Sequence, residues 1–403
     1  MNSGDTAWLL VSTALVLLMT PALALFYGGM VRRKNVLSTI MHSMSAIPII
    51  SLLFCLVGYS LAFGASHGGL IGGFEYVGFR GLVGAQYQTV PALAFAAFQM
   101  MFAVITPALI SGAFAERFKF STYLVFISLW SLLVYVPVAH WVWASDGWLF
   151  KLKALDFAGG TVVHVTAGGA ALVASLVVGK RLKYPQEHPI PHNLTMTLTG
   201  AGILWFGWFG FNAGSALTSS ALAALAFVNT HLGAAAGALG WLAIEWRHRR
   251  KPTALGVASG LVAGLVAITP AAGFVAPWAA IVIGFAAGII CYGAVLAKHR
   301  FGYDDSLDAF GVHGVGGFAG AILTGIFADL RVNPEGGQDG LLRGGVRVFF
   351  VQVLASVVAL AFSCIVTYIL LKLLDRTMGL RVAATDEREG LDATQHGEDA
   401  YAG

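Results

Sequence analysis

The sequence predicts an all-α integral membrane protein with eleven transmembrane helices, and three observations lead to this prediction. Of the 403 residues, 57% are hydrophobic and only 11% are charged, whereas about 25% of the residues in soluble domains are charged. The 50 glycines favour close contact between helices, because small residues are enriched where membrane helices pack. Eleven segments are long and apolar enough to cross a bilayer, which takes about 20 residues.

The eleven predicted helices follow one another along nearly the whole chain. They span approximately Ala7–Val31, Val36–Phe63, Val90–Ala115, Ser121–Ala144, Phe157–Val178, Leu194–Ala216, Ala221–Ile244, Ala254–Thr269, Val275–Ala297, Leu307–Ala328 and Val346–Leu374. The eighth and ninth are divided at Thr269–Gly273, where proline and glycine interrupt a continuous apolar run. We therefore expect a membrane domain over residues 1–378 and a cytoplasmic regulatory tail over residues 379–403.

The basic residues predict the orientation of these helices. Clusters of lysine and arginine follow each odd-numbered helix up to the ninth, at Arg32–Lys34, Arg117–Lys119, Lys180–Lys183, Arg247–Lys251 and Lys298–Arg300. The loops after the sixth and eighth helices contain no basic residue. Since cytoplasmic loops are enriched in lysine and arginine, we expect the N-terminus outside and the C-terminus inside. The few exceptions, at Lys151, Lys153, Arg331, Arg343 and Arg347, do not reverse this bias.

His164 and His313 occupy similar places in two halves of the chain. Each is the single imidazole of an apolar, glycine-rich helix, the fifth and the tenth. Five helices in each half would give the halves opposite topology, as in transporters that carry the substrate path between inverted repeats. We therefore expect a 5+5 inverted repeat with the eleventh helix added, and His164 and His313 near each other.

A buried imidazole needs a partner or a task, because burying a polar group without one costs free energy. One interpretation is that both histidines are core residues bonded to nearby groups. A second is a hydrogen-bonded pair that lines a narrow pore for a small polar solute. A third is ligation of haem or a metal, which needs more room than the surrounding glycines and valines suggest. We favour the pore-lining pair, with no cofactor and no metal.

Asp156 stands just before the fifth helix, and Asp308 stands at the start of the tenth. An Asp in this position is typical of an N-cap, which accepts backbone N–H bonds and complements the helix dipole. At the outer mouth of a conducting path the same carboxylate would also add negative potential. We expect Asp156 to serve as a structural support for the fifth helix, and Asp308 to act as a cap as well.

Aromatic residues cluster around Phe98–Phe102, Trp141–Trp143 and Trp205–Phe211. A belt at the membrane interface accounts for the tryptophans, but it accounts poorly for Phe102, which lies well inside the third helix. The alternative is a vestibule whose ring faces attract an ammonium-type cation by ~0.5–2 kcal/mol each.

Several motifs together resemble the Amt/Mep/Rh ammonium transporter family, most closely its bacterial and archaeal Amt branch. They are Ala24–Asn35, Gly58–Gly64, Asp156–His164, Gly207–Ser215 and Phe310–Gly314, with Gly379–Val382 and Glu387–Asp392 in the tail. The resemblance covers nearly the whole chain, and its Asp-to-His stretch is highly specific.

The resemblance implies a homotrimer with one pore in each subunit. It implies that Phe98, Phe102, Trp143 and Ser215 bind ammonium in an outer vestibule. It further implies that Phe102 and Phe211 form a gate and that His164 and His313 line the hydrophobic pore below it. Asp156 is implied to support the vestibule. Members of the family also bind a PII-type signalling protein at the cytoplasmic face through their tails.

The function that we expect from these features is ammonium transport in the cytoplasmic membrane, and not an enzymatic reaction. The vestibule would bind ammonium and remove a proton, and ammonia would then pass between the histidines. The alternatives are an ammonium sensor that signals through its tail and a channel for a neutral gas such as carbon dioxide. No Asn-Pro-Ala motif of aquaporins and no carbonyl-lined potassium filter sequence is present. The expected surroundings are the lipid bilayer, and nothing indicates nucleic-acid binding.

Overall fold

Long apolar helices make up most of the computed structural model, which describes residues 1–186 and 190–401. Within these residues, ten helical segments have the length and composition to cross a membrane, and α8 is a shorter apolar helix of 15 residues. In chain order they are α1 (Ser3–Met30), α2 (Arg33–Phe63), α3 (Ala92–Ala113), α4 (Phe120–Lys151), α5 (Gly160–Val178), α6 (Leu194–Gly214), α7 (Ala221–Arg249), α8 (Ala254–Ile268), α9 (Pro277–Phe301), α10 (Phe310–Phe327) and α11 (Val346–Thr377). The predicted segments correspond to these helices within a few residues. The count of eleven spans and their orientation stay predictions.

Two short antiparallel hairpins lie between α2 and α3. In the first, β1 (Ser66–His67) pairs with β2 (Ile71–Gly72), and in the second, β3 (Gln86–Tyr87) pairs with β4 (Val90–Pro91). These hairpins join the ends of two apolar helices and lie beside the vestibule described below.

Glycines allow α1 and α6 to pack closely along most of their length. Gly200, Gly207, Gly210 and Gly214 lie at helical spacing on the face of α6 that meets α1. A Cβ atom on Gly210 would come within 2.6 Å of the Leu15 Cβ, and one on Gly214 within 2.6 Å of the Ser12 Cβ. Small residues at such positions let two membrane helices approach backbone to backbone. In the second half of the chain, α7 packs in the same way against α8 and α9.

The two histidine-bearing helices cross each other at glycines. Each begins with a π-helical turn, over Gly160–Val165 in α5 and Phe310–Gly314 in α10. Gly168 lies directly against the backbone of Gly314, and a Cβ on Gly317 would be 2.8 Å from the Cβ of His164. Because no side chain separates the helices here, the crossing brings the two imidazoles into contact.

The start of α10 corrects one expectation from the sequence. Asp305, and not Asp308, caps this helix, because the two Asp305 carboxylate oxygens accept hydrogen bonds from Ala309 N (3.0 Å) and Phe310 N (2.8 Å). Asp308 has a left-handed backbone with a φ of 61°, and its carboxylate pairs with Lys298. The sequence has three aspartates within five positions, Asp304, Asp305 and Asp308, and their spacing alone did not identify the cap.

A buried cluster of charges ties together the loops that the basic residues assign to the inner side. Glu116 accepts hydrogen bonds from Arg32 Nε (3.0 Å), Asn35 Nδ2 (3.0 Å) and Arg181 Nη1 (3.1 Å). Arg181 also forms a two-pronged pair with Asp304, at 2.8 and 2.9 Å. Burial alone would raise the pKa of Glu116, but Arg181 and Arg32 outweigh that effect and hold it below its ordinary value.

The predicted tail packs against this inner surface. It contains a short helix, α12 (Ala384–Glu389), followed by a π-helical turn over Asp392–His396. The Asp392 carboxylate accepts hydrogen bonds from Leu37 N (3.0 Å) and Ser38 N (2.8 Å) at the start of α2. Glu387 accepts one from Leu182 N at 2.7 Å and pairs with Arg381. The last two tail residues, 402 and 403, lie outside the described residues.

Candidate functional site

His164 and His313 form a direct pair in the centre of the molecule. Their Nδ1 atoms are 3.3 Å apart, and their rings lie nearly parallel with centroids separated by 5.3 Å. Both side chains are almost completely buried. The second nitrogen of His164, Nε2, has no hydrogen-bond partner among the described residues. An unpartnered polar atom in such a place is available to a small polar solute.

The cavity around this histidine pair is narrow and lined mainly by apolar side chains. It has a volume of about 10 Å³, which is at the lower limit for holding a single water molecule. Its other walls come from α1, α3, α5, α6 and α8, through Met19, Leu23, Phe26, Ile105, Leu109, Val163, Leu204, Trp208, Phe211 and Val262. The cavity is far too small for a porphyrin, so the geometry does not support the haem-ligation alternative.

Two phenylalanines separate this cavity from a wider one. The rings of Phe102 and Phe211 are tilted against each other with centroids 4.3 Å apart. Phe211 lies 6.1 Å from the His164 ring, while Phe102 contacts Phe98 at 4.9 Å on its other side. Phe102 and Phe211 are each about 1% exposed. The two rings therefore lie between the two cavities, with Phe102 lining the wider one and Phe211 the narrow one.

The wider cavity, the vestibule, has a volume of about 260 Å³. Its walls include Phe98, Phe102, Trp143 and Ser215, together with Gln99. The Trp143 ring stands perpendicular to Phe102 with centroids 5.8 Å apart. Ser215 donates its hydroxyl hydrogen to Phe211 O at 2.8 Å, so its oxygen lone pairs remain free to accept a hydrogen bond from a solute. All four vestibule residues named by the sequence analysis thus lie together.

Asp156 holds the start of α5 in place. One carboxylate oxygen accepts hydrogen bonds from Gly159 N (2.9 Å) and Gly160 N (2.6 Å), and the other from Thr161 N (2.9 Å) and Val162 N (3.0 Å). Its backbone carbonyl accepts a hydrogen bond from Trp143 Nε1 at 3.0 Å. Burial raises the pKa of Asp156 to about 6, while the four N–H bonds act in the opposite direction. Asp156 therefore positions both the π-helical turn that leads to His164 and the Trp143 ring.

Two further residues belong to the site, although the sequence analysis assigned them no role. Trp208 stacks on His164 with centroids 5.4 Å apart, and its Nε1 donates to Thr269 Oγ1 at 2.9 Å. Gln99 lines the vestibule, and its buried amide oxygen has no partner among the described residues. Trp208 lies three residues before Phe211 and four before Asn212, which puts these side chains on the same side of α6. This spacing could have indicated from the sequence that Trp208 belongs to the site.

A bundle of membrane-length helices around two cavities, with aromatic rings between them and paired imidazoles in the narrower one, is typical of a transport protein for a small solute. Residues 7–401 match the model of the Ammonium Transporter Family, and the chain belongs to that family.

Relatives and solved structures agree with this assignment. The chain is 51% identical over 405 residues to an ammonium transporter of Bacillus subtilis, covering 100% of this chain and 99% of the relative. It is 46% identical over 401 residues to ammonium transporter Amt1 of Archaeoglobus fulgidus, covering both chains completely. The structure of Saccharomyces cerevisiae Mep2 superimposes with a TM-score of 0.92 at 40% identity, over 100% of this chain and 92% of that one. A structure described as a sensor Amt protein has a TM-score of 0.91 at 30% identity, over 98% of each chain.

Proposed function

We propose that this protein transports ammonium, by binding the cation in the vestibule and conducting ammonia past the histidine pair. In this proposal Phe98, Phe102, Trp143 and Ser215 form the binding site, Phe102 and Phe211 form the gate, and His164 and His313 line the pore. Membership of the family and the names of the relatives support ammonium as the solute. The vestibule supports a cation site, because aromatic faces attract a cation and the Ser215 and Gln99 oxygens accept hydrogen bonds.

The observation that carries the mechanism is the narrowness of the cavity around the histidines. At about 10 Å³ it leaves no room for a hydration shell around a cation. A bare ammonium ion would lose its hydration there with little in return from apolar walls, whereas ammonia is neutral and small. A proton therefore has to pass from the ammonium ion to water in the vestibule, and ammonia then enters the narrow cavity. Potassium has no proton to lose, which would make the path selective.

The first test is to record currents from liposomes containing the purified protein on a solid-supported membrane. Pulses of ammonium and then of potassium are applied under the same gradient. We expect a current with ammonium and none with potassium if the proton also crosses. If both pulses are silent, an internal pH dye distinguishes electroneutral ammonia entry from no transport at all, and no transport would contradict the proposal.

The sensor and gas-channel alternatives remain distinguishable from transport. The chain is 30% identical to the sensor Amt structure but 51% identical to the Bacillus subtilis ammonium transporter, which favours transport over sensing. A sensor would give saturable ammonium binding with little flux. A gas channel would accelerate carbon dioxide entry, which side-by-side gas and ammonium flux assays would reveal.

The tail is proposed to be a regulatory segment that binds a PII-type protein at the cytoplasmic face. Its packing against inner loops through Glu387 and Asp392 supports a link between the tail and the membrane domain. Deletion of the chain after Arg381 should abolish capture of such a partner in a pull-down. Capture that survives the deletion would contradict this role.

A homotrimer in the cytoplasmic membrane is the assembly that we propose. His231 is exposed and lies ten residues into α7, which is about 15 Å along the helix and near the bilayer centre. Its ring stacks on Trp205 at 5.1 Å, beside the exposed side chains of Phe206 and Phe227. An imidazole facing lipid at that depth is costly, so this face is better covered by another copy of the chain.

A further inference from the structure

A second cavity of about 400 Å³ adjoins the vestibule and has no part in the mechanism proposed above. It lies between the end of α2, the segment from Glu75 to Ala92 that contains the second β-hairpin, and the loop after Trp143, on the side that the charge pattern assigns to the outside. It shares Tyr87 and Ser145 with the vestibule. We call it the side pocket.

Aromatic rings form the base and one wall of the side pocket. Tyr59 lies at the base and contacts Phe63 at 5.4 Å and Tyr76 at 5.9 Å between ring centroids. Tyr87 lines the pocket as well and is fixed by stacking on Phe95 at 3.8 Å. Four ring-bearing side chains around one cavity are an arrangement suited to cation–π contact.

Two carboxylates, Glu75 and Asp146, stand at the same pocket. The Glu75 carboxylate accepts one backbone hydrogen bond, from Ala65 N at 3.3 Å. Over residues 1–186 and 190–401, no lysine or arginine forms an ion pair with Glu75 that would neutralise it. Asp146 is 3.6 Å from Lys151, with both side chains more than 60% exposed, and such a pair is weak and screened by solvent. The pocket therefore combines negative charge with aromatic surface.

The frame of the pocket is held by buried polar contacts. Ser60 Oγ donates to Gly73 O at 3.0 Å and accepts from Tyr76 N at 2.9 Å. The Ser66 hydroxyl lies 2.7 Å from His140 Nε2, and His140 Nδ1 lies 2.8 Å from Ala62 O. These bonds connect the hairpin loop to the ends of α2 and α4, so the pocket exists before any ligand arrives.

We propose that the side pocket binds small organic ammonium ions, those that carry N-alkyl groups. Its volume is an order of magnitude above the roughly 30 Å³ that a water-sized ion such as ammonium occupies, so ammonium alone would leave it mostly empty. N-methyl groups would contact the ring faces while Glu75 and Asp146 balance the charge. Because the pocket shares Tyr87 and Ser145 with the vestibule, a bound cation would repel ammonium there. This last consequence rests on the proposed function, whereas binding itself does not.

The test measures binding of tetramethylammonium to the full-length protein in nanodiscs by saturation-transfer NMR and by tyrosine fluorescence. We expect saturable binding that weakens at least about five-fold in Glu75→Gln and in Asp146→Asn, as loss of a charge contact of about 1 kcal/mol would produce. Glu335→Gln is the matched control, because it removes the same charge from an outer loop that does not line the side pocket. Trp143→Leu alters the vestibule and should leave the part of tetramethylammonium binding that depends on Glu75 and Asp146 unchanged.

Three results would overturn the proposal. The first is no saturable binding, and the second is binding that Trp143→Leu abolishes while Glu75→Gln does not, which places the cation in the vestibule. The third is equal weakening by Glu75→Gln and Glu335→Gln, which indicates a general surface field. Ammonium currents recorded with and without tetramethylammonium then test the competition separately. Failure of ammonium transport leaves the binding result intact.

Discussion

His164 and His313 share one hydrogen bond through like atoms, Nδ1 to Nδ1, so one ring donates and the other accepts. In two neutral rings, the donor has a bare Nε2 and the acceptor carries its proton on Nε2. The pair therefore offers one acceptor and one donor at its remaining nitrogens. Ammonia can both donate and accept hydrogen bonds, whereas an alkali cation gains from only one of these nitrogens.

Replacing both histidines with alanine tests this pairing. We expect His164→Ala with His313→Ala to lower the ammonium-evoked current at least about ten-fold, equivalent to roughly 1.4 kcal/mol, or to turn the pore into a less selective cation leak. The measurement is the ratio of ammonium to potassium current on a solid-supported membrane. Unchanged current with unchanged selectivity would rule out a pore-lining role.

The ionisation of Glu116 should make the Tm of the protein depend on pH. Its pKa is held below the ordinary value by Arg181 and Arg32 despite burial, so the ionised carboxylate stabilises the fold. This contribution is complete above the unfolded-state value of about 4.3 and is lost as the pH falls through the lower pKa of the folded state. Glu116→Gln should therefore lower the Tm at pH 7 and flatten its decline under acidic conditions.

The matched control for Glu116→Gln is Glu335→Gln, a change of an exposed outer-loop carboxylate. It should leave both the Tm at pH 7 and its acid dependence near those of the parent protein. An acid dependence that is as steep in Glu116→Gln as in the parent would show that other groups, such as Asp304, govern it.

The helices α5 and α10 pack closely because glycines lie where they cross. Gly168 and Gly317 let the two backbones meet at the level of the imidazoles, and each histidine lies within a π-helical turn. Such turns are frequent at functional sites because they shift the register of a helix by one residue. The width of the cavity around the histidines thus depends on the helix crossing as well as on the residues that line it.

Gly168→Ala tests whether the crossing of α5 and α10 has room for a side chain at this position. Alanine favours a helix by up to about 1 kcal/mol over glycine, but here its methyl group would overlap Gly314, and overpacking costs about 1–3 kcal/mol. We expect a lower Tm and reduced ammonium flux. Gly293→Ala is the control, because a Cβ there meets nothing within 4 Å, and it should leave the Tm unchanged or raise it. A stable, active Gly168→Ala protein would contradict the packing argument.

For the whole molecule, the face around His231 predicts how copies of the chain associate. His231→Glu would bury a charge at the proposed contact, so we expect the detergent-solubilised complex to fall from three copies to one. Light scattering coupled to size-exclusion chromatography measures this mass. His231→Leu keeps the face apolar and should remain trimeric. If the His231→Glu protein still forms a complex of three copies, the face around His231 is not the contact between subunits.

The sequence predicted the helical membrane fold well, because each helix is an apolar run bounded by charge, proline or glycine. It also named the residues that meet at the vestibule, through the resemblance carried by Asp156–His164 and Gly207–Ser215. It did not anticipate that Asp305 caps α10 in place of Asp308. Local spacing cannot decide between two nearby carboxylates when the choice depends on Lys298, which is distant in space until the chain folds.

Other features depended on contacts between distant parts of the chain. Stacking of Trp208 on His164 requires the relative rotation of α5 and α6, which no periodicity specifies. The docking of Asp392 on α2 joins residues 354 positions apart. In both cases the residue type was compatible with several partners, and only tertiary packing selected one.

The position of the tail has a consequence for biosynthesis. Asp392 satisfies the amides of Leu37 and Ser38, and Tyr401 accepts a hydrogen bond from Arg33 through its carbonyl oxygen at 3.0 Å. The loop after the first helix is made early by the ribosome, whereas its partners in the tail lie more than 350 positions later in the chain. The helices can insert during translation, but these contacts form only after Asp392 and Tyr401 have been made. A product that stops before Asp392 would leave the amides of Leu37 and Ser38 without these partners, and we expect limited proteolysis to cleave it in this loop more readily than the full chain.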